Sequence, residues 1–331
     1  MIKFRKVVRE GVEYRFNSLT NEQTRINPAR AKRAKQVEGN IELSKIIEKS
    51  KAGCPFCPER IEEVTPKFPR EICREGRIKK GDSTIFPNLN PFGEHHAVGT
   101  ITKKHFLDLD EFTSEMLRDV LAATKEYILS VYKNDGEAVW PIVVWNHMPP
   151  SAGSIVHPHV QVLVEREPTP EQNKLFEKSC AYFKREGRNY WKDLVEREKE
   201  LGERYVAENN SILVMASFAP RGFNELHHMF KETSSLAELS EKQIDDFSDC
   251  LTKALRFYKH IGVGSFNLVT YSASIDKKQD GFYWLNAKLI SRPYPKGIYT
   301  NDTGPMERMY DVWVIDTLPE ELAKGARNFF R

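Results

Sequence analysis

The chain has no apolar run approaching the roughly 18 to 20 residues that a membrane helix requires. Its opening, Met1-Ile2-Lys3-Phe4-Arg5-Lys6, lacks the apolar segment of a secretory signal, and the expectation is a cytoplasmic protein. Cysteine is scarce: five in 331 residues, an odd number that speaks against a disulfide framework. Net charge is nearly absent as well. The 50 Lys+Arg and 47 Asp+Glu leave +3, too little to predict a nucleic-acid partner. One window is locally basic, with Arg25, Arg30, Lys32, Arg33 and Lys35. Such a cluster is usually a solvated face, and it can also receive phosphate groups.

What remains is an ordinary soluble composition, 40% hydrophobic and 29% charged, in a chain long enough for two ordinary domains or one large one. Apolar residues at Met116, Val120, Leu121, Tyr127, Ile128 and Val131 predict a helix over 112–132, with Asp110 or Thr113 as its N-cap. Strands are predicted at 83–86, 97–102, 140–145 and 155–164. A proline-rich charged helix should follow to about residue 204. The order then repeats: strands at 211–216 and 225–230, a helix over 241–258, and strands at 265–272 and 284–291. This reads as a decayed duplication of one α+β unit, divided into 1–168 and 169–331.

Two motifs carry chemistry. The first is Cys54-Pro55-Phe56-Cys57, a half-site for zinc that needs two further ligands, with His105 and His157 the candidates. A redox pair is the competing reading; the stiffening prolines and the lack of a surrounding βαβ pattern weigh against it. Cys73, Cys180 and Cys250 stand alone and read as small buried apolar residues. The second motif is His157-Pro158-His159-Val160-Gln161. In a strand, alternate side chains share a face, so two imidazoles and an amide would project together. A neutral imidazole is a competent nucleophile towards phosphorus, and an amide can donate to a phosphate oxygen as charge builds. Asn146 and Ser154 lie just upstream as further donors, with turn chemistry the competing explanation for both. The second copy places Asn286-Ala287-Lys288-Leu289-Ile290 where this motif stands in the first, so that half has lost the chemistry.

Four segments in order resemble the galactose-1-phosphate uridylyltransferases of the histidine-triad superfamily. They are Arg15-Phe16-Asn17-Ser18-Leu19-Thr20, Asn27-Pro28-Ala29-Arg30-Ala31-Lys32-Arg33, the Cys-Pro-Phe-Cys knuckle, and the run from Asn146 through Gly153-Ser154 to Gln161. The resemblance implies two histidine-triad-like units, an α+β fold with a mainly antiparallel half-barrel sheet and flanking helices, usually in a homodimer. It implies a ping-pong reaction in which His159 takes UMP from UDP-glucose and passes it to galactose 1-phosphate. Gln161 would hold the transferred phosphoryl group, Ser154 would lie near the phosphates, Arg30 and Arg33 would approach the nucleotide, and Asn88 would sit by the ribose or base. Cys54, Cys57, His105 and His157 would be zinc ligands.

The chain also departs from that family. Asn88-Leu89 stands where Asn-Asp is common and resembles the related ADP-sugar phosphorylases, which makes an ADP-glucose or dinucleoside-polyphosphate phosphorylase the alternative. Asn286-x-Lys288 replaces a second His-x-His, so no second metal site is expected. Tyr310-Asp311-Val312-Trp313 matches the sugar-binding tail poorly. Outside enzymology, the basic N-terminal patch and knuckle would suit a zinc-stabilised nucleotide-binding module. The expected partners are a nucleotide sugar and a sugar 1-phosphate or phosphate, with neither nucleic acid nor membrane.

Overall fold

The computed structural model describes residues 2–32, 42–296 and 299–331; Arg33 and Lys35, expected near a nucleotide or in the basic patch, lie outside them. The chain opens with β1 (Arg5–Arg9), β2 (Val12–Phe16) and β3 (Gln23–Ile26). Next come α1 (Leu43–Lys51), α2 (Pro58–Val64), β4 (Ile78–Lys80), β5 (Ser83–Pro87), β6 (His95–Thr100), α3 (Ser114–Asn134), β7 (Trp140–His147) and β8 (His159–Glu165). The remainder is α4 (Pro170–Glu186), α5 (Tyr190–Leu201), β9 (Tyr205–Glu208), β10 (Ile212–Ala216), β11 (Phe223–Phe230), α6 (Glu241–His260), β12 (Phe266–Tyr271), β13 (Asn286–Ser291), α7 (Pro305–Tyr310), β14 (Val312–Ile315) and α8 (Pro319–Ala326).

The strand order repeats one arrangement of elements twice. Ten strands form one sheet in the order β4-β5-β6-β8-β7-β12-β13-β11-β10-β9. Read outward from the β7/β12 junction, both arms carry the same sequence of elements, and every pairing is antiparallel. The long helix of each unit, α3 or α6, lies between its third and fourth strands. A second sheet of four strands, β1-β2-β3-β14, joins the start of the chain to its end through parallel pairing of β3 with β14.

Local signals place the helices. Thr113 caps α3 by accepting from the Met116 N–H, and Ser240 with Gln243 forms a capping box on α6. The predicted charged helix is instead two. Thr169, Pro170 and Gln172 start α4, Gly187 ends it in a left-handed conformation, and Asn189 caps α5 at once. That pair of signals outweighs the continuous run of helix formers between them.

Alternation along β8 separates two environments. Val160, Val162 and Val164 join the large core with Leu117, Val120, Leu121, Tyr127 and Ile128 of α3. On the opposite face of the first half, the knuckle residues Cys54, Phe56, Cys57 and Ile61 pack with Phe86 and Val98. The corresponding face of the second half is covered by α4 and α5, through Leu175, Trp191 and Leu194 against Met215 and Met229. Among the described residues, no helix is long and apolar enough to cross a membrane.

Candidate active site

The knuckle brings four ligand atoms together. Cys54, Cys57, His105 and His157 are all buried, and their ligating atoms lie within 4.8 Å of one another. Cys57 Sγ is 3.5 Å from His105 Nδ1 and 3.7 Å from His157 Nδ1, while Cys54 Sγ is 3.9 Å from His157 Nδ1. A tetrahedral zinc ion with bonds of about 2.3 Å to sulfur and about 2.0 Å to nitrogen would set sulfur and nitrogen about 3.5 Å apart. The donor set therefore fits such an ion. The outer contacts fit as well. His157 Nε2–H donates to the Thr102 carbonyl at 2.7 Å, and His105 Nε2 lies 2.9 Å from Ser50 Oγ, whose own hydrogen goes to the Ile47 carbonyl. Both rings thus keep Nδ1 unprotonated towards the thiols, the arrangement found around bound metals. Burial lowers His157 to about 4 and also lowers His105, so both are neutral. Burial and then the adjacent Cys54 sulfur push the Cys57 thiol up to about 11; two sulfurs this close ionise together only around a positive centre.

The strand with the nucleophile candidate begins at His159, four residues later than the predicted start at 155. His157 therefore lies in the turn before β8 and reaches the knuckle from there. Only His159 and Gln161 share a face by strand alternation. The turn is constrained. Met148 and Ala152 have φ of 70° and 69°, unusual for residues with side chains. A Cβ on Gly153 would sit 2.7 Å from the Asn146 carbonyl oxygen, so only glycine allows the loop to pack this closely. His159 Nδ1–H donates to the His157 carbonyl at 2.7 Å. That bond fixes the tautomer and leaves the lone pair on Nε2. Burial lowers the pKa of His159, which keeps the ring neutral. Phe56, carried by the knuckle, packs edge-on against both His157 and His159, with centroids at 6.2 and 5.2 Å.

Gln161 is half-buried in the next position on this face, and its Oε1 lies 3.0 Å from His96 Nε2. Asn88 Nδ2 is 3.1 Å from the same ring nitrogen, which brings Asn88 into the cluster. Asn146, at the end of β7 on the same side, accepts at Oδ1 from Asn267 Nδ2 at 2.6 Å. Ser154 is exposed in the loop before β8, and Arg30 is exposed on a short 3-10 turn at Pro28–Lys32. No described contact ties either one to His159.

Three participants were not visible in the sequence. His96 belongs to a His-His pair whose direction depends on strand parity; it faces the site, whereas His95 pairs with Asp135 at 2.9 Å. Asn267 reaches the site from the second half, directly opposite Asn146. Phe56 stands between the two cysteines of the knuckle, and only the fold brings its ring against His159. His147 is buried against Phe112, Trp145 and Phe266, and burial lowers it to about 3.

Comparison with known proteins gives a consistent architecture. No family model matches the chain. An uncharacterised protein of Archaeoglobus fulgidus is 29% identical over 326 residues, spanning 98% of this chain and 94% of its own. An ADP-glucose phosphorylase from Arabidopsis thaliana, solved with bound ADP-glucose, superimposes with a TM-score of 0.76 at 17% identity, covering 96% of this chain and 98% of that one. A uridylyltransferase structure gives 0.71 at 19% identity with the same coverage. A GalT-like protein from Arabidopsis thaliana gives 0.69 at 17% identity, over 83% and 91% of the two chains. With its ten-stranded antiparallel sheet and repeated units, the chain has the fold of these uridylyltransferase and ADP-glucose phosphorylase structures.

Proposed function

We propose that the protein is a nucleotidyltransferase that moves a nucleoside monophosphate from a nucleotide sugar to a phosphate-bearing acceptor through a covalent nucleotidyl-histidine. The observation that carries this reading is the state of His159: a buried imidazole whose Nδ1–H is committed to the His157 carbonyl, leaving Nε2 as its nucleophilic atom. Nε2 attacks the α-phosphorus, an N–P bond forms, and the P–O bond to the β-phosphate breaks. The sugar 1-phosphate departs as an anion, so its leaving needs no proton donor. In the second half-reaction an oxygen of the acceptor phosphate attacks the same phosphorus and the N–P bond breaks. The positive charge on the substituted ring is met by the His157 carbonyl. The free amide hydrogens of Gln161 and Asn146 are available to the phosphoryl oxygens. A zinc ion held by Cys54, Cys57, His105 and His157 would supply a fixed cross-link between knuckle and strand.

The donor and acceptor of this reading are UDP-glucose and a hexose 1-phosphate, galactose 1-phosphate. A second reading, ADP-glucose with inorganic phosphate as acceptor, is favoured by Leu89, which is 71% exposed beside Asn88 and supplies no carboxylate for a ribose hydroxyl. Mass spectrometry after separate exposure to UDP-glucose and ADP-glucose tests both. The expected result is a UMP or AMP adduct on the peptide containing His159, and one zinc per chain under native conditions. Absence of both adducts at saturating donor, or an adduct on another residue, would overturn the proposal.

A further inference from the structure

We infer that His96 is a positioning residue: it holds the side-chain oxygen of Gln161 so that the amide NH2 is turned towards the phosphoryl group carried by His159. The inference rests on the proposed nucleotidyl transfer and assigns a part in it to a histidine outside the His-x-His-x-Gln run. An amide beside a phosphate is useful in only one of its two orientations. With nitrogen forward it donates to the oxyanion; with oxygen forward it repels it. Something must choose between them, and the neighbours of Gln161 do so.

The choice is made by a chain of hydrogen bonds with a defined direction. The Phe92 backbone N–H points at His96 Nδ1 at 3.3 Å. A backbone N–H only donates, so Nδ1 carries the lone pair and the neutral ring carries its proton on Nε2. His96 is buried, and burial lowers its pKa, in keeping with a neutral ring. Nε2–H then donates to Gln161 Oε1 at 3.0 Å, which leaves both Gln161 amide hydrogens free. Asn88 stands at 3.1 Å from the same Nε2, but its Oδ1 is engaged by the Asn90 N–H at 2.9 Å. With Nε2 protonated, the Asn88 amide hydrogens find no acceptor on the ring and are left for a ligand. The Phe92 ring, 73% exposed, packs edge-on against His96 with centroids 4.3 Å apart, so the loop 88–93 holds the imidazole from two directions.

The same diagonal position in the second half supports a built arrangement. Val98 faces Gln161 across β6 and β8 as His227 faces Lys288 across β11 and β13. Glu225 therefore occupies the place of His96, and it contacts Lys288 at 3.1 Å. In both halves the residue two positions earlier on the neighbouring strand satisfies the central side chain. In the first half that neighbour takes up only the oxygen of an amide.

The test uses the full-length protein with whichever nucleotide sugar labels His159, and compares single-turnover formation of the nucleotidyl-enzyme. His96→Leu should lower the rate about 10- to 100-fold with KM within about twofold of wild type. His96→Gln, whose amide nitrogen can replace Nε2–H, should recover most of the loss. In a Gln161→Ala background His96→Leu should add less than about twofold, because the two side chains act as one unit. An unchanged rate in His96→Leu, or a full additional loss in the Gln161→Ala background, overturns the inference. A second readout needs no turnover: 15N NMR of the free protein should show His96 as the neutral tautomer protonated on Nε2. The Nδ1-protonated form would overturn the inference. An adduct in wild type with no effect of His96→Leu separates its failure from failure of the proposed reaction.

Discussion

In the first half of the sheet the face away from the large core carries His159, Gln161 and His96. At the matching positions of the second half stand Asn286, Lys288 and Glu225. The second set is engaged by its neighbours. Lys288 pairs with the buried Glu225 carboxylate at 3.1 Å, the Arg221 N–H donates to the other oxygen of Glu225 at 2.7 Å, and His227 Nε2–H donates to Asn286 Oδ1 at 3.0 Å. Opposite charges and complementary donors engage one another, and Leu175, Tyr190 and Trp191 line a cavity beside His227, Asn286 and Lys288. The first set is neutral and incomplete: His159 keeps a lone pair, and Gln161 keeps two amide hydrogens. One scaffold thus supports a face that can react and a face that can only hold, and the difference lies in whether each polar atom already has a partner.

The largest effect should separate His159 from Asn286. His159→Ala should remove adduct formation and lower turnover by more than about 10⁴-fold, the scale of losing a nucleophile. Asn286→Ala should leave the chemical step within about twofold. Stopped turnover in both variants, with unfolding midpoints matching wild type, would show that the second face also takes part and would break the comparison.

The next effect reverses the direction, striking stability rather than rate. Lys288→Met leaves the Glu225 carboxylate buried without its cation, at a cost of about 3 to 5 kcal/mol in urea unfolding. Gln161→Met, exchanging one half-buried neutral group, should cost much less. Burial alone would raise the Glu225 carboxyl, but Lys288 overrides it and the net shift is downward. A carboxylate depressed in the folded state contributes stability above its unfolded value, about 4.3, and loses it as pH falls through the lower folded one. The penalty of Lys288→Met should accordingly shrink as pH falls: without its cation the buried carboxyl takes a proton already above about pH 4.3, and the wild-type contribution is lost below it. A penalty constant from pH 7 to pH 3 would exclude the pair as its source.

Much of this contrast could be read from the chain before any fold was known. The Cys54, Cys57, His105 and His157 cluster followed from ligand chemistry and resemblance, and the loss of the second motif at Asn286 and Lys288 was plain from residue type. What the sequence could not supply was strand pairing. His96 and Glu225 acquire meaning only when β6 is set beside β8 and β11 beside β13, because a shift of one residue would turn each to the opposite face. The helix break at Gly187 was missed for a local reason, since capping residues lay inside a run of good helix formers. Ser154 and Arg30, both assigned by motif, stand exposed; a ligand that would draw them in is not encoded in their local spacing.

The smallest effect concerns a place where the second half reaches the site of the first. Asn267 of β12 lies directly opposite Asn146 of β7 and donates through Nδ2 to Asn146 Oδ1 at 2.6 Å and to the Ser151 carbonyl at 2.9 Å. Its own Oδ1 accepts from Arg292 Nη1 at 2.8 Å. The Arg292 guanidinium is in turn clamped by Asp302 at 2.7 and 2.9 Å. The direction of this chain turns the Asn146 NH2 away from Asn267, as His96 does for Gln161. Asn267→Ala should therefore lower single-turnover nucleotidyl transfer by about 10-fold, the scale of losing an outer partner that orients a working group. The loss should vanish in an Asn146→Ala background, and Asn267→Gln should fail to restore it, since a longer side chain cannot span the close pairing of β7 and β12. Equal losses in both backgrounds would mean that Asn267 acts through the Ser151 loop instead, and the second half would then support the site only by packing.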